Sequence, residues 1–377
     1  MDNTNSLGLS RVERRLSGYA ENTGIESIIY DNEIPSFVET ALERLYGNIY
    51  SSLAEFHITG AIKDASTYVL RKHGTLVALF LFRREKRKLV VLNEVISVSQ
   101  EDIYYFASYV FSILDGVDAI VFGAIETDIR MLSFPFQRFN YSEDIVVPLP
   151  NTEQAYLASL GPATRKNLSR HRNRLIRDFP SFCYRSFVRG EASEQHIRAI
   201  VKFNWDRMAR KNKRSGIDEQ RTQRLLALVN AHGFVWIATI DGRICAGAIC
   251  LNVGPQYFME ISSHDYAYDQ YRLGTLCCCL ALCACIERGG HQLHLLWGRY
   301  DYKYMLGGMQ RDLDKVIVYR NSSGLLRNGD LAAKAAIQNV IRKIKLWLQG
   351  QKNERGFFAA SIVRAVNILR SAKRFIH

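Results

Sequence analysis

From Tyr257 to Cys279 the chain reads YFMEISSHDYAYDQYRLGTLCCC, and three kinds of chemistry lie within that span. Glu260 is a carboxylate inside an apolar strand, where burial disfavours its ionised form and moves it towards the range of a general base. On a solvated strand face it would have no such role. His264, four residues later, is the competing base. A short loop then ends in Gly274 just ahead of a helix. The amides of Arg272, Leu273, Gly274 and Thr275 therefore stand at the positive end of a helix dipole, where an anion binds. The other reading of Gly274 is that it only allows a tight turn. The cysteines that follow point in three directions on one helix. Zinc takes thiolates from loops and knuckles, so these thiols are expected to pack as core, with no metal site.

These residues are positioned by a pattern that occurs twice, 168 residues apart. YVLRKHGTLVALFLFRREKRKLVVLNE from Tyr68 and VWIATIDGRICAGAICLNVGPQYFMEIS from Val235 each read as strand, glycine turn (Gly74, Gly242), strand, polar turn and strand. Each runs into an apolar helix, EDIYYFASYVFSILDG in the first copy and TLCCCLALCACIERGG in the second. The second helix is expected to be capped by Thr275 and stopped by Gly289 and Gly290. A further strand follows each helix. The pattern implies a duplicated α/β unit with antiparallel strands feeding a helix. Between the copies, TEQAYLASLGPATRKNLSRHRNRLIRDFP reads as a capped helix, a break and a strongly basic helix. Its Arg165, Arg172 and Arg174 either face an anionic substrate or are solvated.

The composition bounds the rest. The chain has 377 residues, 47% hydrophobic, enough for two or three domains with real cores. Its eight cysteines lie in a chain too long for a secreted disulfide scaffold, and no long uncharged apolar run occurs, so a cytoplasmic protein with reduced thiols is expected. The net charge of +13 is uneven: ten Lys or Arg against one acidic residue lie between Leu331 and His377. There, IQNVIRKIKLWLQG and SIVRAVNILRSAKRFI space apolar residues three and four apart with cations between. That pattern suits a helix on an anionic membrane surface, at the inner face of the membrane here, and equally a helix packed on the protein.

Strands, glycine loop and helix in this order resemble the GNAT acyltransferase fold, and more closely its CelD-like relatives, similar in two-unit layout to the FemAB peptidyltransferases. The resemblance spans roughly residues 65–320 and rests on VVPLP…YLASLGPATRKNLSRHRNRL, AYDQYRLGTL and RYDYKYMLGG. It implies an α/β (α+β) fold of tandem units, each a mixed, largely antiparallel sheet flanked by helices. The expected domains are 1–150 without a cofactor loop, 151–325 with the basic connector and the loop, and a basic helical tail at 326–377. It also implies an acyl-coenzyme A donor, acetyl-coenzyme A first among them, held by Arg272 to Thr275. The acceptor is an amino sugar or other amine in polysaccharide or envelope glycan synthesis. Glu260 or His264 would be the base, and Tyr302 would protonate the leaving thiolate. Arg299 and Lys303 would contact a phosphate, and Tyr268, Trp297 and Arg172 the substrate, with Tyr266 and Tyr271 beside the loop. The loop departs from the GNAT pattern: Asp269 stands where the family has a donor side chain. A donor on aminoacyl-tRNA or acyl-carrier protein is one alternative, and a non-catalytic protein holding nucleic acid or membrane on its basic surface is another.

Overall fold

Both hairpins form at the repeated glycines. His73 and Gly74 take φ of 50° and 77°, and Asp241 and Gly242 take 49° and 73°, so each is a two-residue turn with both centres left-handed. The computed structural model describes residues 24–188 and 190–351. β1 (Ile25–Tyr30) leads to α1 (Val38–Tyr46), a 3₁₀ turn at Ile49–Ser51 and α2 (Leu53–Ile58). The first repeat is β2 (Ala65–Lys72), β3 (Thr75–Glu85), β4 (Lys88–Val91), β5 (Ile96–Ser97), α3 (Gln100–Ile113), β6 (Ala119–Glu126) and β7 (Phe136–Pro148). α4 (Glu153–Ser159), α5 (Pro162–Asp178), β8 (Cys183–Val188), α6 (Glu194–Arg210) and α7 (Glu219–His232) connect it to the second. That second repeat is β9 (Gly233–Ile240), β10 (Arg243–Val253), β11 (Gln256–His264), α8 (Leu273–Glu287), β12 (Gln292–His294), α9 (Asp301–Met305) and β13 (Met309–Tyr319). α10 (Ser322–Arg327) and α11 (Gly329–Gln351) follow.

All the described strands join one mixed sheet in the order β1-β2-β3-β4-β6-β13-β7-β12-β11-β10-β9-β8, with β5 beside β6. The two repeats exchange their last strands. β13 of the second repeat pairs antiparallel with β6 of the first, and β7 of the first pairs antiparallel with β12 of the second. β7 and β13 then pair with each other along their length. The backbone groups of each last strand are thus satisfied by the other unit, and the sheet runs unbroken between them.

α8 is apolar on all sides, and twelve of its residues are buried between the sheet and α4 and α5. Cys277, Cys278, Cys279, Cys283 and Cys285 lie within that core, where burial pushes the Cys278 thiol up to about 11. One detail differs from expectation. α8 starts at Leu273 behind Arg272, whose φ of 53° lets the loop enter the helix three residues early, so Thr275 is not its cap. Tyr302 lies in the short helix α9. α6 and α7 cover the opposite sheet face over Phe258 and Ile261.

Candidate active site

Glu260 occupies a bulge in β11. Pairing with β10 passes from Met259↔Cys250 to Ile261↔Ile249, which leaves Glu260 as the extra residue. The bulge turns its carboxylate away from α8. Tyr50 donates a hydrogen bond of 2.7 Å to Oε1, and the Arg221 and Arg224 guanidiniums each come within 3.6 Å of Oε2. The Glu260 side chain has no solvent exposure, and Oε2 has no hydrogen bond. Arg224 also binds both oxygens of Glu55 at 2.9 Å, so helices α2 and α7 and strand β11 meet in one charged network. Burial first, and then the Glu260 carboxylate, hold the Tyr50 hydroxyl well above the usual phenol range, so it stays a donor. Trp297 completes this group, its ring 6.4 Å from that of Tyr50 and 5.8 Å from the Arg221 guanidinium.

The glycine loop lies on the other side of β11. His264 packs against Gly274 so closely that a Cβ there would fall 2.7 Å from its Cε1. Its Nε2 meets Asp269 Oδ1 at 2.8 Å, and Arg210 reaches Oδ2 at 3.2 Å. Partial burial works against the charge on Asp269, but His264 and Arg210 hold its carboxyl below the usual range. In the first turn of α8, the amide of Arg272 donates to Asp269 O and that of Thr275 to Arg272 O. Leu273 and Gly274 carry the amides with no main-chain partner among the described residues. Arg272 is exposed beside α5. Burial first, and then Arg170, Arg272 and Arg174, push the His171 ring below its usual range. Arg172 is exposed on the same helix, and Tyr268 packs edge-on against Phe179 at 5.4 Å.

The remaining expected residues are placed apart from these two groups. Lys303 is buried, and its ammonium donates to the carbonyls of Leu295, Leu296 and Trp297 at 2.6, 3.0 and 2.7 Å. All three protons are thereby committed to main chain, which corrects the expectation of a phosphate contact. Burial brings this group down to about 8. Tyr302 packs against the α8 core, and burial followed by Cys278 raises its hydroxyl, which makes it a weaker acid than free phenol. No described hydrogen bond or ion pair joins it to Glu260. Arg299 sits at β7 and β13, 3.6 Å from Glu143 and 3.8 Å from Asp312, with its Nε lacking a hydrogen bond.

Sequence reasoning missed Tyr50, Arg221, Arg224 and Glu55, because the bond from Tyr50 to Glu260 spans 210 positions and nothing local marks either end. It also missed Asp144 and His294, for which a signal existed: each is a titratable residue inside an apolar strand, in SEDIVVP and QLHLLWG.

Residues 162–304 match the family described as acetyltransferase (GNAT) domain. In three dimensions the chain is similar to FemX, with a TM-score of 0.57 at 9% identity over 75% of this chain and 96% of that one. It is also similar to L-PGS from Bacillus licheniformis, TM-score 0.50 at 14% identity, covering 81% of this chain and 97% of that one. A conserved protein of unknown function from Bacteroides thetaiotaomicron VPI-5482 gives 0.50 at 13%, covering 77% and 99%. No curated protein matches the sequence.

Proposed function

We propose that this chain, whose residues 162–304 match the acetyltransferase (GNAT) domain family and whose fold is similar to that of FemX, is an acyltransferase that moves an acyl group from acyl-coenzyme A to an amine. The acceptor in this reading is an amino sugar or a similar amine of polysaccharide or envelope glycan synthesis, and acetyl-coenzyme A is the first donor to try. The observation that carries the reading is the start of α8. Arg272 is exposed there in a left-handed conformation, next to the unpaired amides of Leu273 and Gly274 and the cations of α5. Amides at a helix start together with neighbouring guanidiniums favour a phosphate-bearing donor. Tyr302 is the group nearest the leaving thiolate in this reading, with His264 and Asp269 moving aside when the phosphates enter, while Glu260 stays enclosed by Tyr50, Arg221 and Arg224.

Asp269 favours a second donor. Its carboxylate and the His264 ring already cover Gly274, and an aspartate beside a pyrophosphate is repulsive. An aminoacyl-tRNA or acyl-carrier donor would instead lie along the exposed cations of α5. Thermal unfolding with acyl-coenzyme A thioesters and with charged tRNA separates the two. A ligand at about a hundred times its dissociation constant raises stability by roughly 2.7 kcal/mol. We expect the thioesters to raise the midpoint of the parent protein and not of Gly274→Trp. A shift with tRNA alone assigns the second donor, and no shift with either removes the phosphate-handle reading.

The partner reading extends to a surface. On α11, Ile337, Val340, Ile344 and Trp347 are exposed at three- and four-residue steps, opposite the face where Ala335 is buried and Arg342 binds Asn140. Lys343 lies on one flank of this stripe, and Lys334 and Lys345 on the other. A helix with an apolar stripe between cations suits the surface of an anionic bilayer, and we assign it to that partner. None of the described helices is long and apolar enough to cross a membrane. The segment SIVRAVNILRSAKRFI lies outside the described residues.

A further inference from the structure

Where the two units meet on the α1 side of the sheet, a cavity of about 250 Å³ is lined by Asp144, His294, Gln256, Arg311, Glu126 and Ser97, among others. Unlike the Glu260 network, this place is built at the strand exchange, where β7 brings Asp144, β13 brings Arg311, and β12, the partner of β7, brings His294. Asp144 and His294 are both buried, and His294 Nδ1 lies 2.6 Å from Asp144 Oδ2. With the Nδ1 proton donated to Asp144, Nε2 of His294 is left as an acceptor. The ring is fixed by stacking on Phe258 at 4.3 Å. Two further acceptors are buried here without partners, Asp144 Oδ1 and Gln256 Oε1. An unsatisfied buried acceptor is destabilising unless something donates to it. Arg311 also lines the cavity, and its NH2 donates to Gln292 Oε1 at 3.1 Å, not to either of these acceptors.

A small cavity rich in orphan acceptors is complementary to a compact ligand rich in donors. We propose that this cavity is a binding site for a primary ammonium group with neighbouring hydroxyls, the chemistry of an amino sugar, and that His294 is the group that accepts its proton. A volume of about 250 Å³ admits a ring of sugar size. His294 also stands at the last β11–β12 pair, opposite Phe258, beyond which the two strands no longer pair. A ligand there lies at the fork between the strands. This deepens the acyl-transfer reading and rests on it for the chemical step. In that step one proton of the ammonium passes to His294 Nε2 and the freed amine attacks the thioester carbonyl. The C–N bond forms, the C–S bond breaks, and the second proton leaves with the thiolate. Asp144 acts as a positioning residue that fixes the ring and its tautomer.

The test is calorimetric titration of the full chain with D-glucosamine and with D-glucose. We expect saturable one-site binding of glucosamine, at least tenfold tighter than glucose. Gln256→Leu and Asp144→Asn should each weaken it at least tenfold, Gln256→Glu should strengthen it by adding charge, and Gly274→Trp should leave it unchanged. With an acyl donor, His294→Asn should lower kcat at least a hundredfold with little change in KM, whereas Gln256→Leu should act on KM. Equal binding of the two sugars, no binding of either, or binding indifferent to Gln256→Leu and Asp144→Asn in variants that unfold at the parent temperature overturns the site. Glucosamine binding without any response to a thioester or charged tRNA keeps the site and removes the transfer reading. Transfer to an amine with kcat and KM indifferent to His294 and Gln256 keeps the transferase and removes the site.

Discussion

Glu260 shows how little a residue's place along the chain says about its chemistry. The sequence marks it as a carboxylate in an apolar strand, which is correct, but its bulge aims it at α7 and away from the loop it precedes. Its partners are two guanidiniums and a phenol, so removing its charge leaves Arg221 facing a neutral side chain and Arg224 with Glu55 alone. Breaking one partner out of a buried charged network is destabilising by about 3 kcal/mol. We expect Glu260→Gln to lose that order of stability in urea unfolding and Tyr50→Phe, which removes one hydrogen bond, to lose about 1 kcal/mol. If Glu260 is also the base, transfer by Glu260→Gln falls about a hundredfold or more, while Tyr50→Phe stays within a few fold. Equal losses of rate in both variants would assign Glu260 a structural part only.

At the scale of elements, the hairpins, α3, α5, α6 and α8 follow from local signals: two-residue glycine turns, Ser99 and Ser193 as caps, Pro162 at a helix start and an unbroken apolar run. Contacts between distant elements do not. Asp118, at the entrance to β6, is bound by Arg87 from the β3–β4 turn and by Arg327 from α10 at 2.8 Å. Arg87 first, after allowing for burial Arg327, holds its carboxyl down to about 2. A carboxyl lowered in the folded state stabilises above its unfolded pKa and loses that contribution as the pH falls through the folded value. The clamp is therefore complete above about pH 4 and weakens towards about pH 2. We expect Asp118→Asn to be less stable at neutral pH by about 1 kcal/mol, since both arginines are half exposed, and to show a flatter acid limb between those values. Urea midpoints measured across that range decide it, and parallel curves for the two proteins would remove Asp118 from the acid response.

The whole molecule is governed by the strand exchange, which makes one sheet of two repeats and ties α11 to β7. Arg342 of that helix binds Asn140 Oδ1 at 2.9 Å and also binds Glu143, which in turn accepts from the Gly298 amide at 3.0 Å. The cationic helix is thereby fixed next to the segment that carries Trp297 and Arg299, and its apolar stripe faces outward. We expect the protein to sediment with vesicles containing anionic phosphatidylglycerol and not with neutral phosphatidylcholine vesicles. Binding should fall steeply with salt, since each cation near such a surface adds about 1 kcal/mol. Trp347→Ser with Ile344→Ser should abolish it without changing acyl transfer to a soluble amine. Sedimentation of that double variant equal to the parent would leave the stripe without this partner.

The sequence alone determined what depends on near neighbours and composition: the repeat, its hairpins and helices, the buried cysteine helix, the glycine loop and the basic tail. Each is encoded by turn geometry or hydrophobic period within about twenty residues. Only the tertiary structure decided that the last strands change places, because antiparallel pairing is satisfied as well by a strand from either repeat. It alone placed Asp269 and His264 over Gly274, spent Lys303 on three carbonyls, and set Glu260 among Tyr50, Arg221 and Arg224. Those contacts are set by a bulge, a left-handed residue and long-range packing. The orphan acceptors of Asp144 and Gln256 come together only where strands from both units meet, so their cavity has no counterpart in any single stretch of the chain.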